Sequence, residues 1–261
     1  MYILNKLLIL CALSLSLTTL VYFPLEAFGN TSNNSSESKT SQNNRQTSDM
    51  EYIDTKKAGK AGNIVGGGSM GKPCGEVEPS QLKFLIPRAN GGVLGLTTES
   101  HPTFWFYIPY KSEEFHSIEF VLEDDDEYEY IDEIPSTSQS FPKLMQVSIL
   151  QTEAPLETGK NYIVSLYVYC EDPETASNPT QPIKVSVIGN VEREPISPEL
   201  QSQLDQAGDD LRQQAVIYAK YSIWFDALRI IGELRQQEPN NPQYQEDWNK
   251  LLGDINMKID E

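Results

Sequence analysis

The chain has 261 residues, room for one or two domains, with 39% apolar and 10% aromatic residues. Its 38 acidic against 20 basic side chains give a formal net charge of -18. A surface of that sign repels phosphate backbones and anionic lipid, so nucleic acid and membrane surfaces are disfavoured as partners.

Residues 1–29 read as an export signal. Lys6 supplies the basic start and Leu7 to Phe23 the apolar core, with Ala27-Phe28-Gly29 offering small residues for cleavage before Asn30. The competing reading is an uncleaved anchor, because the apolar stretch approaches spanning length. No later stretch is long and apolar enough to span a bilayer, so no membrane contact is expected beyond this segment. The expected location is the periplasm or the exterior.

Residues 30–72 read as a disordered linker. Thr31 to Ser48 is almost entirely Ser, Asn, Thr and Gln, and glycines follow at 59, 62, 66, 67, 68 and 71. Gly66 to Lys72 has the spacing of a phosphate-binding loop. The next position should carry a hydroxyl for magnesium and is Pro73 instead, so no nucleotide site is expected.

From 73 to 195 apolar residues recur with period two, the signature of half-buried strands. Gln81–Pro87 is a first strand and Ala89–Gly95 reads as a turn around Asn90-Gly91-Gly92. His101–Tyr110 is apolar on both faces, which predicts a central strand covered on two sides. Ser117–Leu122 and Tyr128–Ile134 flank the acidic hairpin tip Glu123–Glu127. Leu144–Leu150, Asn161–Cys170 and Ile183–Val191 complete the set. Short strands separated by Pro, Gly and Asn turns predict a mainly β chain: an antiparallel, immunoglobulin-like β-sandwich over 73–195.

The period changes after Pro195. Ser197-Pro198-Glu199 is a helix start, followed by helical segments Asp209–Tyr221, Ile223–Gln237 and Pro242–Asp254. Leu211, Ala215, Tyr218, Ala227, Ile231, Leu234 and Pro239 fall at the positions of a tetratricopeptide unit. One such unit is too little for a free-standing solenoid. Residues 196–261 are therefore expected to form a small helical hairpin packed on the sandwich, over its Trp105 and Tyr107 face.

Cys11 lies within the export signal, which leaves Cys74 and Cys170. In an oxidising compartment these are best read as one disulfide; a redox-active pair would want a Cys-x-x-Cys motif. The aromatic residues Trp105, Tyr107 and Tyr110 are a candidate ligand surface, since aromatic sheet faces stack sugars or grip peptides. Tyr218, Trp224 and Ala227 mark a candidate helical interaction surface. The acidic tip lacks the glycine-bearing spacing of calcium loops and reads as solvated charge that blocks edge pairing. His101 and His116 are the only histidines. No nucleophile–base pairing, metal-ligand set or cofactor motif is present.

Several stretches together resemble a family of exported cyanobacterial proteins that share a domain of unknown function. They are Gly71-Lys72-Pro73-Cys74, the run from Glu99 to Tyr110, Leu156 to Tyr162, Cys170-Glu171-Asp172-Pro173, Gly189 to Arg193, and Tyr218 to Leu228. The resemblance covers about Cys74 to Leu252 and departs at the acidic tip, where a glycine in the turn is expected. It implies export and a two-part architecture, and no activity.

The function expected is that of a non-enzymatic envelope or secreted protein making protein–protein contacts with partners in the cell envelope. The alternative is a carbohydrate- or peptide-binding module using sheet aromatics, with a carboxylate hydrolase as the remote one.

Overall fold

A computed structural model describes residues 48–53, 73–89, 92–125, 129–138, 140–257 and 259. The predicted export signal, most of the predicted linker and the Gly66–Lys72 stretch lie outside them. In chain order the strands are β1 (Lys83–Phe84), β2 (Arg88–Ala89), β3 (Gly92–Thr97), β4 (Thr103–Ile108), β5 (Ser117–Glu123), β6 (Glu129–Pro135), β7 (Lys143–Ser148), β8 (Asn161–Tyr169) and β9 (Lys184–Arg193). The helices are α1 (Pro198–Ala207), α2 (Leu211–Lys220), α3 (Trp224–Gln237) and α4 (Pro242–Asp254).

Two sheets form, one ordered β1-β4-β7 and the other β2-β3-β9-β8-β5-β6. Among the described residues every pairing is antiparallel except β3 with β9, which run parallel with Leu94 opposite Asn190 and Thr97 opposite Arg193. This corrects the antiparallel expectation. The residues from 92 to 95 are also strand rather than turn: Gly95 faces the Phe225 ring, and a Cβ there would run into it. A glycine that reads as a turn residue serves here as a point of close approach.

The chain is mixed α/β rather than mainly β: the helical stretches expected after Pro195 form four helices, too large a share of the fold for a small appended hairpin. Their starts follow local chemistry. Ser197 Oγ accepts from the Leu200 amide, and Asp210 and Asn241 accept from the Gln213 and Gln243 amides. Pro198 and Pro242 occupy the first turns of α1 and α4, where their missing N–H costs nothing.

β4 is the middle strand of its sheet, and it is apolar on both sides because both sides are covered. Phe104, Phe106 and Ile108 are buried on one face. Phe104 stacks on Phe120 of the second sheet at 5.7 Å, and Phe106 stacks on Phe84 at 4.7 Å. On the other face Trp105 packs edge-on to Trp248 of α4 at 5.4 Å and against Gly232 of α3. Phe225 of α3 reaches Phe104 at 4.9 Å, and Trp224 Nε1 donates to the Leu85 carbonyl at 2.8 Å. The helices are thus part of the main core. A smaller cluster, Leu96 with Leu200, Ile217 and Ile223, joins β3 to the helices through the side chain next to Gly95.

Cys74 and Cys170 are disulfide-bonded, with their Cα atoms 5.0 Å apart. The bridge ties the segment before β1 to the residue that follows β8.

Candidate functional site

The site is a groove between α2 and α4. α3 packs against both helices and leaves their outer flanks to a third element. Ala215, Ala219 and Ala227 are buried, and their small side chains let α2 and α3 approach closely. The third element is the segment 48–53, placed by sequence inside the linker. Its burial corrects that expectation: Met50 is 1% exposed and belongs to the main core.

The segment is inserted as an extended peptide. Met50 and Tyr52 turn toward the helices while Asp49, Glu51 and Ile53 are exposed, the alternation of a strand without a partner strand. Tyr52 meets Trp224 edge-on at 4.9 Å. The polar fixings run along both helices in order. At the first end Glu246 accepts from the Ser48 amide at 3.1 Å and Asp247 from the Ser48 hydroxyl at 2.5 Å. At the far end Asp254 accepts from the Tyr52 amide at 2.9 Å and the Ala219 carbonyl from the Ile53 amide at 3.3 Å. Ser222 Oγ donates to the Ile53 carbonyl. The segment therefore runs in the same direction as α2 and α4. Beyond Tyr52 a cleft of about 590 Å³ opens between Lys83, Arg88, Asp254 and Met257.

Arg212 holds the electrostatics of the groove. It donates to buried Asp247 at 2.7 and 3.0 Å and to Asp49 at 2.5 Å. Burial acts to lower its pKa, and hydrogen bonds to the two carboxylates outweigh that and hold it above the usual value. Burial likewise acts to raise the Asp49 carboxyl, and Arg212 more than reverses this, leaving it below the usual range. A guanidinium with one carboxylate from the groove and one from the segment reads an acidic position directly.

A second polar cluster lies where α3 meets the end of β3. Asp226, 1% exposed, accepts from Thr97 Oγ1 at 2.7 Å, Thr98 Oγ1 at 2.5 Å and the Thr98 amide at 3.2 Å. Burial and the nearby Glu99 push its carboxyl up to about 6 against those hydrogen bonds. Glu99 pairs with Arg229 at 2.7 Å, which also reaches Glu233 at 2.9 Å. Asp226 takes all of these bonds from the end of β3 and its neighbouring residue, so it pins helix to sheet.

The residues singled out from sequence fall in different places. Trp105 and Tyr110 are 2% and 0% exposed, which withdraws both rings from any ligand surface. Tyr107 is partly buried. Trp224 and Ala227 are core residues rather than helical surface, with Trp224 also forming the floor under Tyr52. Tyr218 is partly buried and hydrogen-bonded to Thr98. His101 lies between the Ser100 hydroxyl and the Glu153 carbonyl, each at 3.0 Å. In the acidic tip Asp124 pairs with Lys160 at 2.7 Å, while Asp126 and Glu127 lie outside the described residues. On the outward face of the larger sheet Lys184 sits 3.8 Å over the Tyr167 ring. Sequence reasoning missed Met50, Tyr52, Arg212, Asp247 and Asp254. The available signal was the return of apolar residues at 50, 52 and 53 after the polar run.

Fold and groove define a two-sheet, four-helix body carrying an extended peptide on its helical side. The chain belongs to the family described as a Domain of Unknown Function (DUF928), which matches residues 65–260. A search of the curated proteins finds no match. Residues 48–53 lie ahead of the matched region, so the groove belongs to the family domain and its occupant does not.

Proposed function

We propose that this chain is a non-enzymatic protein of the cell envelope or exterior that works through protein–protein contacts. The observation that carries the reading is the groove between α2 and α4. It holds an extended peptide through backbone amides, one arginine and two apolar positions, the way short peptide segments are recognised. Residues 1–29 and the Cys74–Cys170 bridge support export to an oxidising compartment, and the family resemblance points to a cyanobacterial source. In this reading the two sheets, joined by Phe104 and Phe120, are an immunoglobulin-like sandwich. Helices α2 and α3, with small residues at 215, 219 and 227, are a tetratricopeptide-like unit that α4 follows.

The carbohydrate alternative is weaker because Trp105 and Tyr110 are buried and Lys184 already covers one face of Tyr167. No catalytic or nucleic-acid role is proposed, and the charge of -18 opposes the latter.

The test is crosslinking of the full chain in its native envelope, followed by mass spectrometry of the fractions. The expected result is a periplasmic or secreted protein, lacking residues 1–29, crosslinked to a defined partner. A cytoplasmic protein, or an exported one with no specific partner, would refute the reading.

A further inference from the structure

The groove between α2 and α4 is complete within the family domain, whereas the segment that fills it is not. Ile53 is joined to Pro73 through residues 54–72, so the segment is a ligand tethered to its receptor. Its contacts fall into two kinds. The amides of Ser48, Tyr52 and Ile53 go to Glu246, Asp254 and the Ala219 carbonyl, contacts that any extended chain provides. Ser48, Asp49, Met50 and Tyr52 are also read by side chain, on Asp247, on Arg212, in the core, and against Trp224 respectively.

We propose that this groove is a receptor for an extended peptide of a different protein, one that carries an acidic residue, then methionine, then an aromatic two positions further on. Residues 48–53 are its built-in competitor. The inference deepens the interaction reading above and rests on it.

Three observations support exchange over permanent bracing. Among the described residues the segment forms no strand ladder with either sheet; hydrogen bonds fix it to α2, α4 and the turn between α2 and α3. Its anchoring is alternate, with Asp49, Glu51 and Ile53 left exposed. The groove also keeps its own ion pair, Arg212 with buried Asp247, so removing Asp49 does not strand the guanidinium. A partner peptide must outcompete a tethered copy whose effective concentration is on the order of millimolar. The partner therefore has to be abundant, tight-binding or multivalent.

The experiment uses the full exported chain and a fluorescein-labelled synthetic peptide of residues 46–55, followed by anisotropy. Wild type is expected to bind the peptide weakly, because the groove is occupied. The chain carrying Met50→Asp and Tyr52→Ala, which releases the segment, should bind it at least about tenfold more tightly. Adding Arg212→Ala, or placing Asp at the methionine of the peptide, should reverse that gain. A released chain with wild-type circular dichroism that binds no better than wild type would overturn the proposal and leave the segment a brace. Should the released chain fail to fold, a protease site placed within residues 54–72 of the wild-type chain is cut. Exchange of the clipped segment for labelled peptide is then followed by native mass spectrometry, and its absence at excess peptide overturns the proposal equally. Concentration-dependent dimerisation of the released chain, abolished by Arg212→Ala, would make a second copy the occupant and overturn the assignment to a different protein. These outcomes are independent of the envelope crosslinking. A partner crosslinked elsewhere, with no peptide exchange, sinks this inference and spares the interaction reading.

Discussion

Asp226 is a buried carboxyl held by three hydrogen bonds from two threonines, and its pKa near 6 makes it a pH sensor of the fold. Because the folded value lies above the unfolded one, the native state binds the proton more tightly. Its stabilising contribution is complete below about pH 4 and is lost as pH rises through about 6. Asp226→Asn removes the titration and keeps the shape. The urea midpoint of the variant relative to wild type is therefore expected to rise between pH 4 and pH 6 and level off above. A difference that stays flat across that window would contradict the assignment.

Tyr110 offers the opposite case. Its hydroxyl is buried without a hydrogen-bond partner among the described residues, and burial followed by Glu114 pushes its pKa up to about 12. A buried hydroxyl with no partner opposes folding, so Tyr110→Phe should leave stability unchanged or raise it by about 1 kcal/mol in urea denaturation. A clear loss would reveal a partner for the hydroxyl.

The contact between α3 and β4 turns on one small residue. Gly232 has no side chain because Trp105 lies directly over it, and a Cβ there would meet the indole ring. Alanine at this position gains up to about 1 kcal/mol of helix propensity. It loses about 1–3 kcal/mol by overpacking a tryptophan locked between α3 and α4. Gly232→Ala is expected to be destabilising in thermal or urea unfolding, with Trp105 fluorescence shifted. Elements such as α1 to α4 were legible from sequence because caps and prolines act within a few residues. The strand pattern of β4 and β8 was legible for the same reason. The seat of residues 48–53 was not: a short run with Met50, Tyr52 and Ile53 has no periodicity long enough to register, and α4, which holds much of it, lies nearly two hundred residues later.

At the scale of the described body, two of the long-range ties carry predictions. The Cys74–Cys170 bridge spans 96 residues of sequence. Loop-entropy reasoning gives it a stabilisation of about 3–5 kcal/mol, and reduction should lower the urea midpoint accordingly. A midpoint insensitive to reductant would place the stability elsewhere. The second tie is the shared core of helices and sheets. Truncation after Ile196 would expose Trp105 and the Phe104 cluster that Trp248, Gly232 and Phe225 now cover. Such a protein should aggregate or fail to unfold cooperatively, as light scattering and calorimetry would report. A soluble, cooperatively unfolding truncation would show that the sheets stand alone.

By itself the sequence determined the local architecture: which residues alternate in β4, where the helices start, and that two cysteines remain to bridge. Those features depend on neighbours a few positions apart or on composition. Only the tertiary structure decided that β3 runs parallel to β9, that Trp105 and Tyr110 are interior, and that residues 48–53 fill the groove between α2 and α4. Each of these depends on which distant segment arrives at a surface. Periodicity reports that a face is apolar, and burial is conferred by whatever comes to cover it.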